Sequence, residues 1–442
     1  MSFTPFLDGT RWSDVYTAAT CAFLAGTAMF TADFALTLRL QTEGFGGFAI
    51  AALIICATLP LVLLAPLTGR MADRFDSRAL MAFSGLVQTA AIVAMALTDN
   101  LYALYVLMIV NAAGTAVLQP VVSALVPAMV RREDLPHAVA MVQTGTLLGL
   151  AAGPAAAGFL IGANGVGAAL MLAAGCAMAR VLLCCDIRTR RGGVRRDLNA
   201  HQASGGTGWR LGGDRLLTAM VLGLSAVIAA MCAVNVLSVF LVREVYGATE
   251  SMYGLIKACW TIGMVGGAWL AAAVIRRLDR DVQLAWMLMA CLAGVGLVCF
   301  GQGMPLFTVL LLVPLNLIGG IFNAGENSAL GIAVARRVPE AFRGRANAAV
   351  GGRVNAAQLI GFLLGGALSM VLDVQVAFAA VGLVSITIVL ACLPVIRRAA
   401  REDEAGKDGS SPAAGETASA REPELAAALA PPGSGWPPRI AV

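Results

Sequence analysis

Residues 60–78 read PLVLLAPLTGRMADRFDSR, an apolar run that gives way to a short loop carrying Arg70, Asp73, Arg74, Asp76 and Arg78. The next apolar run starts immediately, at residue 79. A charged loop this short between two apolar runs of about 20 residues reads as a pair of membrane-crossing helices and their turn. The pattern repeats along the whole chain, with apolar runs at 15–38, 46–68, 79–98, 101–127, 137–163, 165–185, 216–242, 250–275, 282–300, 305–335, 346–372 and 374–396. Of the 442 residues, 59% are hydrophobic and 13% charged, and the mean hydropathy is +0.80. A soluble domain is about half apolar and a quarter charged. No soluble core hides this much apolar surface, so lipid is the solvent for most of it. Backbone inside a bilayer satisfies its own hydrogen bonds, which leaves helices or a closed barrel. The runs are too long for barrel strands and lack their period-two alternation. The expected fold is all-α, with twelve transmembrane helices.

A polar stretch rich in Arg and Gly divides the runs six and six. The expected organisation is an N-terminal six-helix bundle over 1–185, a basic linker over 186–215, a second six-helix bundle over 216–398 and a tail over 399–442. The tail is Ala, Pro, Gly, Ser and Glu without periodicity, and should be disordered. Basic residues crowd alternate loops: Arg70, Arg74 and Arg78; Arg131 and Arg132; the linker; Arg276, Arg277 and Arg280; Arg336, Arg337, Arg343 and Arg345; Arg397, Arg398 and Arg401. The other loops carry only Arg39 and Arg243. Basic loops stay on the cytoplasmic side, so both termini and the linker are expected there. The first run is too long for a cleaved leader and is followed by many more, so it reads as an uncleaved anchor. Of the 31 basic residues only Lys257 and Lys407 are lysines, a composition that suggests a GC-rich bacterial genome and a bacterial plasma (inner) membrane.

Several function classes drop out. The ten cysteines lie in or at the ends of apolar runs and form no CxxC pair, and His137 and His201 are far apart in sequence. No metal and no cofactor are expected. There is no P-loop, no nucleophile elbow and no HExxH, so the chain does not read as an enzyme, and any work must come from a gradient. The basic linker suits anionic lipid headgroups, and its charge is explained by topology without nucleic acid. The expected partners are a small-molecule substrate, protons and the lipid bilayer, for a monomeric protein.

The loop Gly69-Arg-Met-Ala-Asp73-Arg74-Phe-Asp-Ser-Arg78 reads in two ways. A carboxylate there can cap a neighbouring helix N-terminus, Arg74 and Arg78 can hold carboxylates or helix-end carbonyls, and Gly69 permits close backbone approach. That is a latch that can be made and broken. Alternatively the arginines merely set orientation and Asp73 is a solvated spacer. The loop resembles the signature G-x-x-x-D-R-x-G-R-R of the major facilitator superfamily, with Gly69, Asp73, Arg74 and Arg78 matching, Asp76 in place of the second Gly and Ser77 in place of a basic residue. The resemblance extends over about residues 14–396. It implies two pseudo-symmetric six-helix bundles around a central cavity, working by alternating access, and it favours the latch. Within the family the loop is similar to that of bacterial multidrug and siderophore exporters.

The fifth run carries Gly149, Gly153, Pro154 and Gly158. Small residues at this spacing bare one side of a helix for close packing, and Pro154 can kink it. Ordinary helix packing accounts for such a run. It also resembles the G-x-x-x-G-P-x-x-G-G motif of the superfamily's exporters, with Ala157 replacing one Gly and Ala140 at the upstream position. The resemblance implies a proton-coupled antiporter that exports a small amphipathic compound such as a drug, an antibiotic or a siderophore. A symporting importer and a non-transporting sensor or scaffold are the alternatives.

Ionisable residues inside the spans are functional candidates by default. Asp33 lies toward the outer third of the first span, on a face with Gly26, Met29, Phe30 and Thr37. It reads either as a site of reversible protonation or as a structural Asp near the outer mouth. Glu326 lies about 14 Å into the tenth span, beside Asn316, Gly319, Gly320, Asn323 and Asn327. Arg353 is at nearly the same depth in the next span. Glu326 and Arg353 read as a structural ion pair, or Glu326 as a second proton carrier. Lys257 pairs with a carboxylate or snorkels outward, and Arg180 should snorkel. The resemblance puts helices 1, 4, 7 and 10 around the cavity. The candidates there are Met29; Tyr105, Met108, Asn111, Thr115 and Gln119; Met231 and Asn235; and Asn316, Asn323 and Asn327. Met and amide groups suit loosely selected amphipathic ligands.

Overall fold

The computed structural model describes residues 10–131, 133–187, 189, 211–305, 308–339 and 342–408, excepting the side chains at 66, 72, 73, 211, 344, 345 and 403–408. Thirteen α-helices run through them. In the first bundle they are α1 (Trp12–Thr42), α2 (Gly47–Leu63), α3 (Ala65–Arg74), α4 (Ser77–Leu97), α5 (Leu101–Leu125), α6 (Leu135–Asn164) and α7 (Val166–Cys184). In the second they are α8 (Arg215–Phe240), α9 (Glu250–Ile275), α10 (Asp281–Gly303), α11 (Leu312–Arg337), α12 (Arg343–Val371) and α13 (Val374–Asp408). Eleven helical segments are long and apolar enough to cross a membrane, and Gly47–Leu63 is a shorter apolar helix between two of them.

Helix starts follow from local chemistry. The side chains of Asp76, Asn100, Asp214 and Thr249 each accept a hydrogen bond from a first-turn amide, at 3.0, 2.9, 2.9 and 3.3 Å, and so cap α4, α5, α8 and α9. Gly165 adopts φ +83°, which turns the chain from α6 straight into α7. The apolar run 46–68, expected as one helix, is broken: Leu64 ends α2 and begins α3. Pro60 lies inside α2 and position 66 has no amide hydrogen to give, so the ladder is not continued across the junction. The last helix runs to Asp408, past the expected boundary at 398, and Arg215 pairs with Glu402 at 2.5 Å along this extension. The remaining tail and most of the expected linker lie outside the described residues.

Each bundle is zipped by glycines. A Cβ added at Gly149 of α6 would sit 2.3 Å from the carbonyl oxygen of Phe23 in α1. One at Gly320 of α11 would sit 2.0 Å from that of Trp260 in α9. Helices this close gain dispersion contacts that lipid does not outcompete. Large apolar side chains such as Leu97, Phe159 and Trp269 point outward, 78%, 68% and 79% exposed, as a lipid-facing surface requires.

Antiparallel alternation gathers the basic loops at one end of the molecule, called the basic end below. Arg39 and Arg243, the two exceptions at the far end, are neutralised locally. Arg39 pairs with Glu43 (2.8 Å) and Asp99 (2.5 Å), and Arg243 with Glu250 (2.5 Å). At the basic end of the second bundle Arg337 joins three helices, meeting Asp214 at 2.6 Å and Asp281 at 3.1 Å. All three side chains are below a fifth exposed. Removing the cation strands two carboxylates in a poorly solvated place. Arg337→Met should therefore destabilise the protein by about 1–3 kcal/mol, less than for a fully buried pair. Thermal melting in detergent checks this: the variant should melt earlier than wild type, and Arg336→Met, at an exposed neighbouring side chain, should not.

Candidate functional site

The two bundles meet chiefly through α6 against α9 and α2 against α12. A Cβ at Gly254 of α9 would lie 2.3 Å from the carbonyl oxygen of Pro154, and one at Gly158 of α6 would lie 2.5 Å from that of Glu250. Gly47 of α2 faces Ser369 of α12 just as closely, and the rings of Phe34 and Tyr253 stack with centroids 4.8 Å apart. Among the described residues the hydrogen bonds that join the bundles are Gln41 to Glu244 (3.1 Å) and Ser251 to the Gly158 carbonyl (3.3 Å). All of these contacts lie in the half away from the basic end, so the far end is the closed one.

Below this closure lies a cavity of about 460 Å³ between the bundles, a size ordinary for small-molecule sites. Its walls are largely apolar and aromatic, with Phe30, Phe34, Tyr253, Trp260, Phe362 and Phe378 among them. Two lining residues carry a charged group: Asp33 from α1 and Lys257 from α9. Oδ1 of Asp33 is buried and has no hydrogen-bond partner. The Nζ of Lys257 stands over the Tyr253 ring, 5.8 Å from its centroid. Neither charged group is paired with an oppositely charged side chain among the described residues. Past Phe240 the chain forms a π-helical turn, Leu241–Val245, whose first two residues also line the cavity. Wider turns of this kind recur at functional sites.

Of the lining residues expected from sequence, Met29, Met108, Asn235 and Asn316 reach this cavity. The structure places the others elsewhere. Tyr105 donates to the Ala49 carbonyl at 3.1 Å, and Met231 Sδ accepts from Ser385 at 3.3 Å. Thr115 faces into the first bundle, where Gln88 Nε2 donates to it (2.9 Å) and to the backbone carbonyl of Asn111 (3.1 Å); the Asn111 side chain is buried, its Oδ1 without a hydrogen-bond partner. Arg180, expected to snorkel, is 1% exposed and donates to Gln88 Oε1 at 2.5 Å, completing that network. Gln119 and Asn327 are exposed and are not among the residues lining this cavity. The eighth span, α9, was not among the four helices expected to line it, yet it supplies Tyr253, Lys257, Trp260, Thr261 and Met264. Their spacing of 4, 3, 1 and 3 residues marks one helical face, a signal that was present in the sequence.

Glu326 and Arg353 are not brought together. Glu326 is buried inside the second bundle, 4% exposed, and accepts from Asn323 Nδ2 at 2.7 Å. Arg353 is exposed and donates to its own helix, to the Ala349 carbonyl at 3.0 Å. Glu326 is turned into the bundle and Arg353 is exposed, so the expected pair is not formed. In the loop that read as a latch, Arg74 is exposed, Arg78 is half-buried, and neither pairs with a described carboxylate. A Cβ at Gly69 would touch nothing within 4 Å, so the close approach expected there is absent in this conformation. The carboxylate that does cap a helix is Asp76, on α4; the side chain of Asp73 lies outside those described. The Gly–Pro run of α6 is divided between partners: Gly149 and Gly153 pack on α1 within the bundle, whereas Pro154 and Gly158 meet α9 of the other bundle.

A cavity at the interface of two similar helix bundles, closed at one end and holding unpaired charges, is the arrangement of a secondary transporter. The comparisons with known proteins agree. Aligned to solved structures, the chain is similar to a point mutant of the nucleoside transporter NupG, with a TM-score of 0.72 and 14% identity, covering 86% of this chain and 99% of that one. It is similar to a POT family transporter solved with 5-aminolevulinic acid, with a TM-score of 0.69 and 12% identity over 87% and 96% of the two chains. At this identity the likeness shows the fold. Among curated proteins it is 24% identical over 355 residues to the Bacillus subtilis (strain 168) protein described as the uncharacterised MFS-type transporter YfiS, covering 77% of this chain and 83% of that one. The family model for the Major Facilitator Superfamily matches residues 18–313 and 219–436. The chain therefore belongs to the Major Facilitator Superfamily, as a multi-pass membrane protein of the secondary-transporter fold and not an enzyme.

Proposed function

We propose that the chain is a proton-coupled exporter of a small amphipathic compound, with the cavity as the substrate site and Asp33 as the carboxylate that carries the proton. The observation that carries this reading is the buried, unpartnered Asp33 Oδ1 in the wall of an otherwise mostly apolar cavity between the bundles. A group that must alternate between charged and neutral is served poorly by a permanent ionic partner, and Asp33 has none. Glu326 accepts a hydrogen bond from Asn323 of its own helix and is not part of the cavity lining, and that position sets it apart from Asp33. The orientation is that of a bacterial plasma membrane protein with both termini and the basic end in the cytoplasm. The conformation described is then open inward, the state in which an exporter loads. Export is the direction suggested by the α6 run's resemblance to exporters. The reverse coupling, a proton and substrate moving together, is favoured by Lys257 in the same cavity. Accumulation of substrate in inverted rather than right-side-out vesicles, driven by an imposed pH gradient, tests the export reading; accumulation in right-side-out vesicles supports the other.

Gly69, Asp73, Arg74 and Arg78 form a latch that engages only when the basic end closes, which fits Arg74 and Arg78 having no carboxylate partner here among the described residues. Helix-terminal charge interactions amount to about 0.3–2 kcal/mol, and about 1.4 kcal/mol shifts a conformational equilibrium tenfold. Asp73→Asn should thus reduce transport several-fold at normal surface expression and enrich the inward-open state. Cysteine accessibility from the cytoplasmic side reads that enrichment, and an unchanged pattern with wild-type transport would return Asp73 to a solvated spacer.

A further inference from the structure

The cavity holds a cation that proton carriage by Asp33 does not use. We propose that Lys257 is the receptor for an acidic group on the transported compound, so that the substrate is an organic anion with a flat apolar body. Lys257 is one of two lysines in the chain, and the other, Lys407, lies outside the membrane core. Its ammonium offers three donors and accepts nothing. Among the described residues it has no carboxylate or hydrogen-bond partner; its recorded contact is the face of Tyr253, at 5.8 Å. An aromatic face favours the charged form of an amine but does not satisfy its donors. An ammonium held among apolar walls is costly until an anion reaches it, and a carboxylate of the substrate is the group that would do so. The rings of Phe30, Trp260, Phe362 and Phe378 line the same space and offer faces and edges to an aromatic or alicyclic body. Asn235 and Asn316 supply the few polar contacts that orient it.

Charge balance links this site to Asp33. With Asp33 ionised and Lys257 charged, these two groups sum to zero. Adding a monoanion and a proton together restores zero, whereas either alone leaves a net charge in a low-dielectric site. An acidic substrate would therefore travel with the proton, which is the second of the two coupling readings above. The anion preference rests on the cavity being the substrate site; the coupling it implies is the co-transport reading, which the vesicle assay above distinguishes from export.

The test is equilibrium binding to the full-length protein in lipid nanodiscs, with three probes of one shape: 2-naphthoate, 2-naphthalenemethanol and 2-naphthylmethylammonium. Wild type should bind 2-naphthoate at least tenfold more tightly than the alcohol and the amine. Lys257→Met should erase the preference, and Lys257→Arg should keep most of it. Melting and size-exclusion profiles identify any variant that fails to fold, and the wild-type arm reads the charge preference with no substitution at all. Equal binding of the three probes, no binding of 2-naphthoate, or a preference that survives Lys257→Met in folded protein overturns the proposal. None of these results bears on whether Asp33 carries the proton, which is read by gradient-driven transport.

Discussion

Asp33→Asn should abolish transport driven by a pH gradient, bringing it to the level of empty proteoliposomes, while leaving ligand binding and energy-independent exchange in place. The amide fills the same space as the neutral acid and keeps its polarity, so the cavity wall retains its shape. What it loses is the ability to release and retake a proton, and with it the link between proton movement and the bundle rearrangement. Glu326→Gln should behave differently. It sits outside the cavity, bonded to Asn323 at 2.7 Å in the second bundle, so the expected loss is in expression or binding, with coupling intact in whatever protein remains. The check is a pair of assays on the same proteoliposomes: uphill accumulation under an imposed pH gradient, and exchange without one. Uphill accumulation by Asp33→Asn with substrate-dependent proton uptake would move the coupling role to Glu326.

A single added carbon at the bundle interface should have the second-largest effect. Gly254→Ala would place a Cβ 2.3 Å from the carbonyl oxygen of Pro154, an approach that only backbone movement relieves. Overpacking of this kind costs about 1–3 kcal/mol. Because α6 and α9 meet across the interface, the cost falls on the far-closed conformation rather than on the fold of either bundle. At about 1.4 kcal/mol per factor of ten, the equilibrium constant for the far-closed state should drop by roughly 5- to 140-fold. Transport that must pass through it should drop in step. Gly266→Ala is the matched control, because a Cβ there meets nothing within 4 Å on the same helix. Labelling of cysteines placed at the far end should rise in Gly254→Ala and stay at the wild-type level in Gly266→Ala. Normal transport by Gly254→Ala would mean that the α6–α9 contact is not part of the working cycle.

Much of the architecture was legible because membrane helices announce themselves by length and charge. The runs at 137–163 and 250–275 correspond to α6 and α9, and the arginine asymmetry placed Arg70 to Arg78 and Arg336 to Arg343 at one end. The break between Leu63 and Ala65 was hidden because apolar side chains continue through it; only Pro60 and Pro66 signalled it. Side-chain direction was harder. Periodicity along one helix finds a polar stripe but not the neighbour it meets. Thr115 therefore looked like cavity wall, although it accepts from Gln88, which in turn accepts from Arg180, 92 residues away along the chain from Gln88. The same limit hid the surroundings of Lys257, expected to pair with a carboxylate or snorkel outward: its face is defined by Tyr253 and Trp260 on its own helix, but its cavity is made by α1 and α12 as well. Asp33 was found because a carboxylate in an apolar span is conspicuous on chemistry alone.

The distance across the basic end tests the central claim most directly. Spin labels at Ser123 of α5 and Ala335 of α11, both exposed positions, report whether the bundles are apart or together there, in a background with the native cysteines replaced. In wild type the measured distances should fall into two populations whose ratio changes with pH. In Asp33→Asn the ratio should be the same at every pH, because the group whose protonation biases the equilibrium is gone. A pH-dependent shift that persists in Asp33→Asn would contradict the assignment of Asp33 as the residue that couples the proton to alternating access.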